Sequence, residues 1–520
     1  MPLAIAVSQM MACSSDSTPS GSSIDGGEGV DGGGANDGAI PVDAGGGDGR
    51  TLGRDGGNVT PGASGCAALA IDQTIAAGTA SKRFSFFDAR CKLRTAAIAS
   101  DATGGYLREL TYDAGGTKRT CTGSGANGWN GWGYVVSHYA GNASTSNGAT
   151  TTQRAVLAGR HHAIQEVKVR VNPGGAVDAT IHWLLSTGRS HVVYSLTLDA
   201  TPAGANAVNA DSRAPYGDMT WDGITDNSGT VDGVGWGDKY KMKTTGNGPV
   251  TMATPWDYTA PNVVPYVLEW SNGADAEMGA VQTQSWEREL AGGDYGGGAL
   301  TTECWGKTSA NKGAQCSSNG QTMPTDYLWP FQLNQYELPF VTTSKRLAWG
   351  ATFGAVGQAS YSAFGKTLKG YPFQSYAVSA VFGKHSEGAV LAHVADMEAT
   401  LAASLVATKG SVATTGPAGV GRTDTITYAP VGYDQVYGTW VVHADANAAT
   451  LVLAAFSGKL VNPILRVLDY TASSLPAHVV VAGRELVADV DYFATVDTAS
   501  KALWITLNAS LAGAVDIAIR

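Results

Sequence analysis

Residues 165–199 read QEVKVRVNPGGAVDATIHWLLSTGRSHVVYSLTLD, and this stretch decides the fold class. In its first seven residues Glu166, Lys168 and Arg170 alternate with Val167, Val169 and Val171. A period of two puts the valines on one face of a strand and the charges on the other. Two further runs, 178–185 and 191–199, are rich in Val, Leu, Ile, Tyr and Trp, and they flank Ser186-Thr187-Gly188-Arg189-Ser190. This spacing predicts an antiparallel hairpin. A turn centred on Gly188 sets His182 opposite Tyr194 and His191 opposite Leu185.

The same signature recurs on both sides. Strands are predicted at 263–270, 280–286, 345–353 and 376–382. Helix is the minority. One is predicted over 389–408, where Val390, Leu391, Val394, Met397, Leu401 and Leu405 lie mostly three or four apart, and a short one over 68–80. Glycine, 68 of 520 residues, demands turns rather than long helices. After a Gly/Thr/Ser/Pro connector at 410–421, short strands are predicted at 423–428, 438–444, 450–455, 479–481, 491–496, 503–507 and 515–519. The expectation is a mostly β chain with few helices. A large antiparallel β-sandwich body spans 63–410, and a smaller C-terminal β-sandwich domain spans 411–520.

Ahead of the body the chain changes character. Leu3 to Ala12 is mostly apolar and is followed by Cys13. The run resembles a bacterial lipoprotein processing site over residues 1–13, though no Lys or Arg precedes it and it is short. It implies export to the extracellular side or outer cell surface, with a lipid anchor on Cys13 as the only membrane contact. Residues 14–62 are dominated by Gly, Asp, Ser and Ala, with no aromatic residue, and carry −6 of the net −10. Such a stretch cannot offset its ordering entropy by burial and reads as a disordered tether. With no basic block anywhere, nucleic acid is excluded as a partner.

Five more cysteines follow: Cys66, Cys91, Cys121, Cys304 and Cys316. None has C-x-x-C spacing, which argues against a zinc or redox site. A local disulfide is expected between Cys304 and Cys316, and a second between two of Cys66, Cys91 and Cys121.

Aromatic residues concentrate in 213–337, where Trp221, Trp236, Trp256, Tyr258, Trp286, Trp305 and Trp329 sit among polar and glycine neighbours. An aromatic face with a polar rim suits a sugar ring, so these residues are candidates to line a polysaccharide groove. Asp222, Asp226, Asp232 and Asp238 form a cluster of hard oxygen ligands that would suit Ca2+, outside any EF-hand spacing.

Two chemistries fit. Glycoside hydrolysis needs two carboxyl groups, and the pairs Asp275/Glu277 and Glu287/Glu289 each share one face of a strand. β-Elimination on a uronate needs a base, an acid and a cation for the carboxylate, which His182, Arg189, His191 and Tyr194 could supply. Hydrolysis is the favoured expectation, elimination the first alternative, and a noncatalytic glycan-binding or adhesion lipoprotein the second. No G-x-S-x-G, H-E-x-x-H, Rossmann or P-loop spacing is present.

Overall fold

The structure, a computed structural model, describes residues 57–72, 81–99, 105–113, 116–123, 130–137, 151–171, 177–199, 201–203, 212–221, 233–237, 243–244, 266–282, 346–348, 352–353, 360–361, 366–367, 373–414 and 430–520. These residues belong to one compact unit, Asp48–Arg520. They are mostly strand, in several antiparallel sheets, with one α-helix among them.

The predicted hairpin lies in a nine-stranded sheet. Its strands are β1 (Thr151–Ala158), β2 (His162–Val171), β3 (Val177–Ser186), β4 (His191–Asp199), β5 (Gly233–Gly237), β6 (Lys243–Thr244), β7 (Tyr266–Ser271), β8 (Ala276–Gln282) and β9 (Phe373–Gly383). Their order across the sheet is β6-β5-β7-β8-β9-β4-β3-β2-β1. The hairpin itself is one residue out of the predicted register. His182 faces Ser195, and Tyr194 faces Trp183. Because the side-chain period is two, that slip places His182 and Tyr194 on opposite faces.

The two faces meet different partners. Trp183 and Tyr194 are fully buried and pack on each other and on Trp132 of the strand Trp132–Ser137. That strand belongs to a second nine-stranded sheet, which also holds Ser81–Phe87, Leu93–Ala99 and Leu107–Asp113. On the other face Leu157, Ile164, Leu184 and Val193 pack against Ile464, Ala502 and Trp504 from the C-terminal strands.

The C-terminal strands form two six-stranded sheets. Among the described named strands one pair runs parallel, Thr439–His443 with Ile464–Leu468. A parallel pair needs a crossover. Here it is supplied by the strand Ala449–Val461, which belongs to the neighbouring sheet. Ser404–Lys409 pairs with that strand, across the boundary expected at residue 410. Asn58–Pro61 pairs with residues 509–512 and buries Val59, so the folded body takes in residues read from composition as tether.

Helix α1 (Ala389–Leu401) starts where predicted and stops seven residues early. Leu405 continues the apolar spacing, but it is buried in the strand Ser404–Lys409 instead, where sheet pairing replaces helical hydrogen bonds. Residues Ala70–Asp72 of the expected short helix are a strand paired with Ser81–Phe87, and the rest of 73–80 lies outside the described residues. Val390, Val394 and Met397 of α1 pack into an extensive apolar cluster together with Tyr266, Leu268 and the C-terminal strands. No helix among the described residues is long and apolar enough to cross a membrane.

Candidate functional site

Three elements meet around a cleft of about 310 Å³. A volume of that order is the lower end of what small-molecule sites use.

The first wall is the turn Asp88–Lys92 and the start of the strand Leu93–Ala99. Asp88 builds it: its Oδ1 accepts the backbone N–H groups of Arg90 and Lys92, each at 2.9 Å, and its Oδ2 accepts Arg94 Nε at 3.0 Å. Arg94 and Asp88 are both buried, and Arg94 also donates to the Phe382 carbonyl. A disulfide between Cys66 and Cys91 ties this turn to the N-terminal segment. Cys121, buried, lies outside that bond and donates to Met278 Sδ at 3.4 Å.

The second wall is the β3–β4 turn. Gly188 adopts φ +90°, a conformation an L side chain resists. Its N–H donates to the Phe87 carbonyl at 2.7 Å, and its carbonyl accepts Asn462 Nδ2 at 2.9 Å. This pins the turn so that Arg189 and His191 line the cleft.

The third wall is α1 with the segment before it, from which His393, Asp396, Lys384 and Glu387 line the cleft. Two acids hold this wall. Asp275 accepts the N–H and hydroxyl of Ser386 at 2.8 and 3.0 Å. Glu277, buried, bonds His385 Nδ1 and the Val390 N–H, each at 2.7 Å. The latter bond satisfies one of the open donors at the start of α1.

The floor is ionic. Arg189 Nη1 donates to Asp396 Oδ2 at 2.9 Å and to the Val461 carbonyl at 2.7 Å. The rings of His191 and His393 lie 3.8 Å apart, centre to centre. Burial, then His393, Arg189 and Arg94, push the His191 imidazole well below its usual range. Burial and Arg189 push His393 down to about 3. Both imidazoles are therefore neutral at pH 7. Arg189 Nε and His393 Nε2 are buried without a hydrogen-bond partner. At the mouth, Arg90 and Lys384 both pair with Glu387, and Lys92 also lines the opening.

A second polar cluster lies on the C-terminal-facing side of the same sheet. His182 Nε2 is 3.1 Å from Glu166 Oε2, and His182 Nδ1 is 3.1 Å from the Tyr437 hydroxyl. Arg154 grips Glu166 through two bonds at 2.6 and 3.2 Å. Burial pushes Glu166 up, but Arg154, His182 and Lys168 outweigh it and hold the carboxyl at about 2.

The predicted site residues thus separate. Arg189 and His191 share the cleft. His182 sits in the second cluster, and Tyr194 is packed between the two large sheets. Asp275 and Glu277 brace a cleft wall, with both Glu277 oxygens engaged. Trp221 and Trp236 fall on strands whose side chains lie outside the described residues. Trp256, Tyr258, Trp286, Glu287, Glu289, Trp305, Trp329, Asp222, Asp226, Asp232, Asp238, Cys13, Cys304 and Cys316 lie outside the described residues altogether.

Several cleft residues escaped the sequence reading, and two signals pointed to them. Arg90, Lys92 and Arg94 gather three cations within five residues, with Arg90 and Lys92 on the turn and Arg94 on the strand that follows. His393 and Asp396 are three apart in a predicted helix, hence on one face.

No family model matches this chain, and no curated protein matches it. Among solved structures, a galactose 1-epimerase from Lactobacillus acidophilus NCFM is similar over 61% of this chain and 99% of that one, at 8% identity and a TM-score of 0.27. A galactose mutarotase-like protein from Clostridium acetobutylicum is similar over the same shares, at 8% identity and a TM-score of 0.30. Both superpositions are loose, and the functional reading rests on the cleft's own residues.

Proposed function

We propose that this chain is an exported carbohydrate-active enzyme that cleaves a uronate-containing polysaccharide by β-elimination in the cleft between Arg94, His191 and α1. The observation that carries this reading is a neutral histidine, His191, set between two buried cations, Arg94 and Arg189, in a cleft of saccharide size.

The chemistry follows from those groups. Arg94 and Arg189 are paired with Asp88 and Asp396, but each guanidinium keeps further N–H groups, and these would donate to the uronate carboxylate as its α-proton leaves. The imidazole of His191 takes the C5 proton, the C4–O bond breaks, and a C4=C5 double bond forms. The leaving oxygen takes a proton from water at the cleft mouth, so the step needs no co-reactant. Arg90 and Lys92 at the opening suit a neighbouring uronate along the chain.

Elimination takes precedence over hydrolysis because of what the cleft's carboxylates already do. Of the four carboxylates that line the cleft, Asp88, Asp396 and Glu387 are each ion-paired to an arginine, and Asp113 accepts the Gly116 N–H, so at most one stands ready for a substrate. A hydrolase needs one carboxylic acid and one carboxylate free to act on the substrate. The tryptophans of 213–337 serve in this reading as further sugar platforms, and a lipid on Cys13 holds the protein at the cell surface.

The test is a panel of uronate and neutral polysaccharides, read for new reducing ends and for the ultraviolet absorbance of an unsaturated uronate. His191→Ala should cut the rate at least about 100-fold. Reducing ends without that absorbance would establish hydrolysis instead. Binding without either signal would leave a glycan-binding protein.

A further inference from the structure

Arg189 and His191 also border a second, smaller cavity of about 10 Å³, closed in by Ser186, Ser379, Tyr433 and Tyr437. A space of that order accommodates about one water, provided polar atoms surround it. Two such atoms wait there: Ser379 Oγ and Arg189 Nε are buried without a hydrogen-bond partner. The Tyr437 hydroxyl is bonded to His182, and His182 to Glu166. The cavity therefore stands between the cleft histidine and a hydrogen-bonded series that ends on a carboxylate.

We propose that Glu166, His182 and Tyr437 form a proton relay that drains His191 through a water in this cavity. The proposal rests on the elimination reading. A saccharide in the cleft displaces solvent from that side. The proton taken from C5 then sits on His191 beside Arg189, Arg94 and His393, where a positive charge is costly. Through the relay, the His191 N–H gives a proton to the cavity water. The water gives one to the Tyr437 oxygen, and the Tyr437 O–H proton passes to His182 Nδ1. The resulting imidazolium lies against the Glu166 carboxylate and loses its proton to solvent. Each residue then regains its starting charge, with the His191 and His182 rings left in the opposite tautomer until proton exchange with water resets them. The other charges facing His182 are Lys168 and Arg154; those facing Tyr437 are Arg466, Asp434 and Arg154. Glu166, Tyr437 and His182 are positioning residues in this scheme, since none lines the cleft.

Two measurements test it. Oxygen-17 relaxation dispersion on the wild type and Ser379→Val should show one long-lived internal water fewer in the variant, whether or not a saccharide is turned over. Equal counts would overturn the relay. On a polyuronate that the wild type cleaves, Tyr437→Phe and His182→Gln should each lower kcat about tenfold, leave KM within about twofold, and raise the solvent isotope effect. An unchanged kcat and pH profile in either folded variant would overturn it as well. Activity retained in His191→Ala would instead remove the elimination reading, and the relay with it.

Discussion

Glu166 is the residue whose environment is most sharply set. It is buried on a strand face yet ionised, because Arg154 and His182 both donate to it. Its carboxyl is held at about 2, against an ordinary 4.5. A depressed carboxyl contributes stability that is complete above the unfolded value and disappears as pH falls through the folded one. Glu166→Gln should therefore lose about 1 to 2 kcal/mol at pH 7, and its deficit should shrink between pH 4.5 and 2. Urea unfolding of both proteins at neutral and acid pH checks this. His182 illustrates what alternation alone could and could not tell. The valine–charge pattern of 165–171 placed Glu166 on a strand, but the partner of His182 depended on a turn. One residue of register moved Tyr194 to the opposite face. The true hydroxyl partner, Tyr437, is 255 residues away along the chain, beyond the reach of any local pattern.

The same sheet is clamped to the C-terminal strands by the short turn between β1 and β2. His161 bonds Thr187 and Asp489, and His162 bonds Thr495 and Thr506. Adjacent histidines point apart in a strand, and here each finds hydroxyl or carboxylate partners on that account. Gly159 makes the approach possible, since a Cβ there would meet Thr495 Cγ2 at 1.9 Å. Gly159→Ala should destabilise by about 1 to 3 kcal/mol, with partial recovery when Thr495→Ser removes the methyl. Thermal unfolding of the single and double variants checks it. At this scale the sequence was informative about which segments extend. Strand β4 has the predicted bounds, and β3 extends one residue past them at each end. The helix was legible at its start but not its end, because Leu405 fits an apolar period in either conformation. Only pairing with Ala449–Val461 decides between them. The cleft wall Asp88–Arg94 was missed for a related reason. A stretch rich in charge reads as solvated surface until the partners that bury Arg94 are known.

Across the whole molecule, acid should be the weak point. His162 and His393 are held at about 3, and burial lowers His161, His182 and His191 too. The unfolded chain takes up these protons near 6.5, while the folded one refuses them. Stability is then fully present above that value and falls as pH drops toward 3. Each fully shifted histidine contributes up to about 1.4 kcal/mol per pH unit in this window. Equilibrium unfolding from pH 7 to 4 should show a steep loss, and His162→Gln should flatten it. The covalent link between Cys66 and Cys91 closes a separation of 25 residues, and removing it should cost about 3 kcal/mol, measured by unfolding with and without reductant. Its position matters more than that figure. Arg90 and Lys92 flank Cys91 directly, so the cationic edge that would greet a polyanion is fastened by a bond that reducing conditions dissolve. Protein made in a thiol-rich cell interior would fold with that edge loose, and, if the proposed elimination is its reaction, would gain its hold on an acidic sugar only after air or an oxidising compartment had closed the bridge.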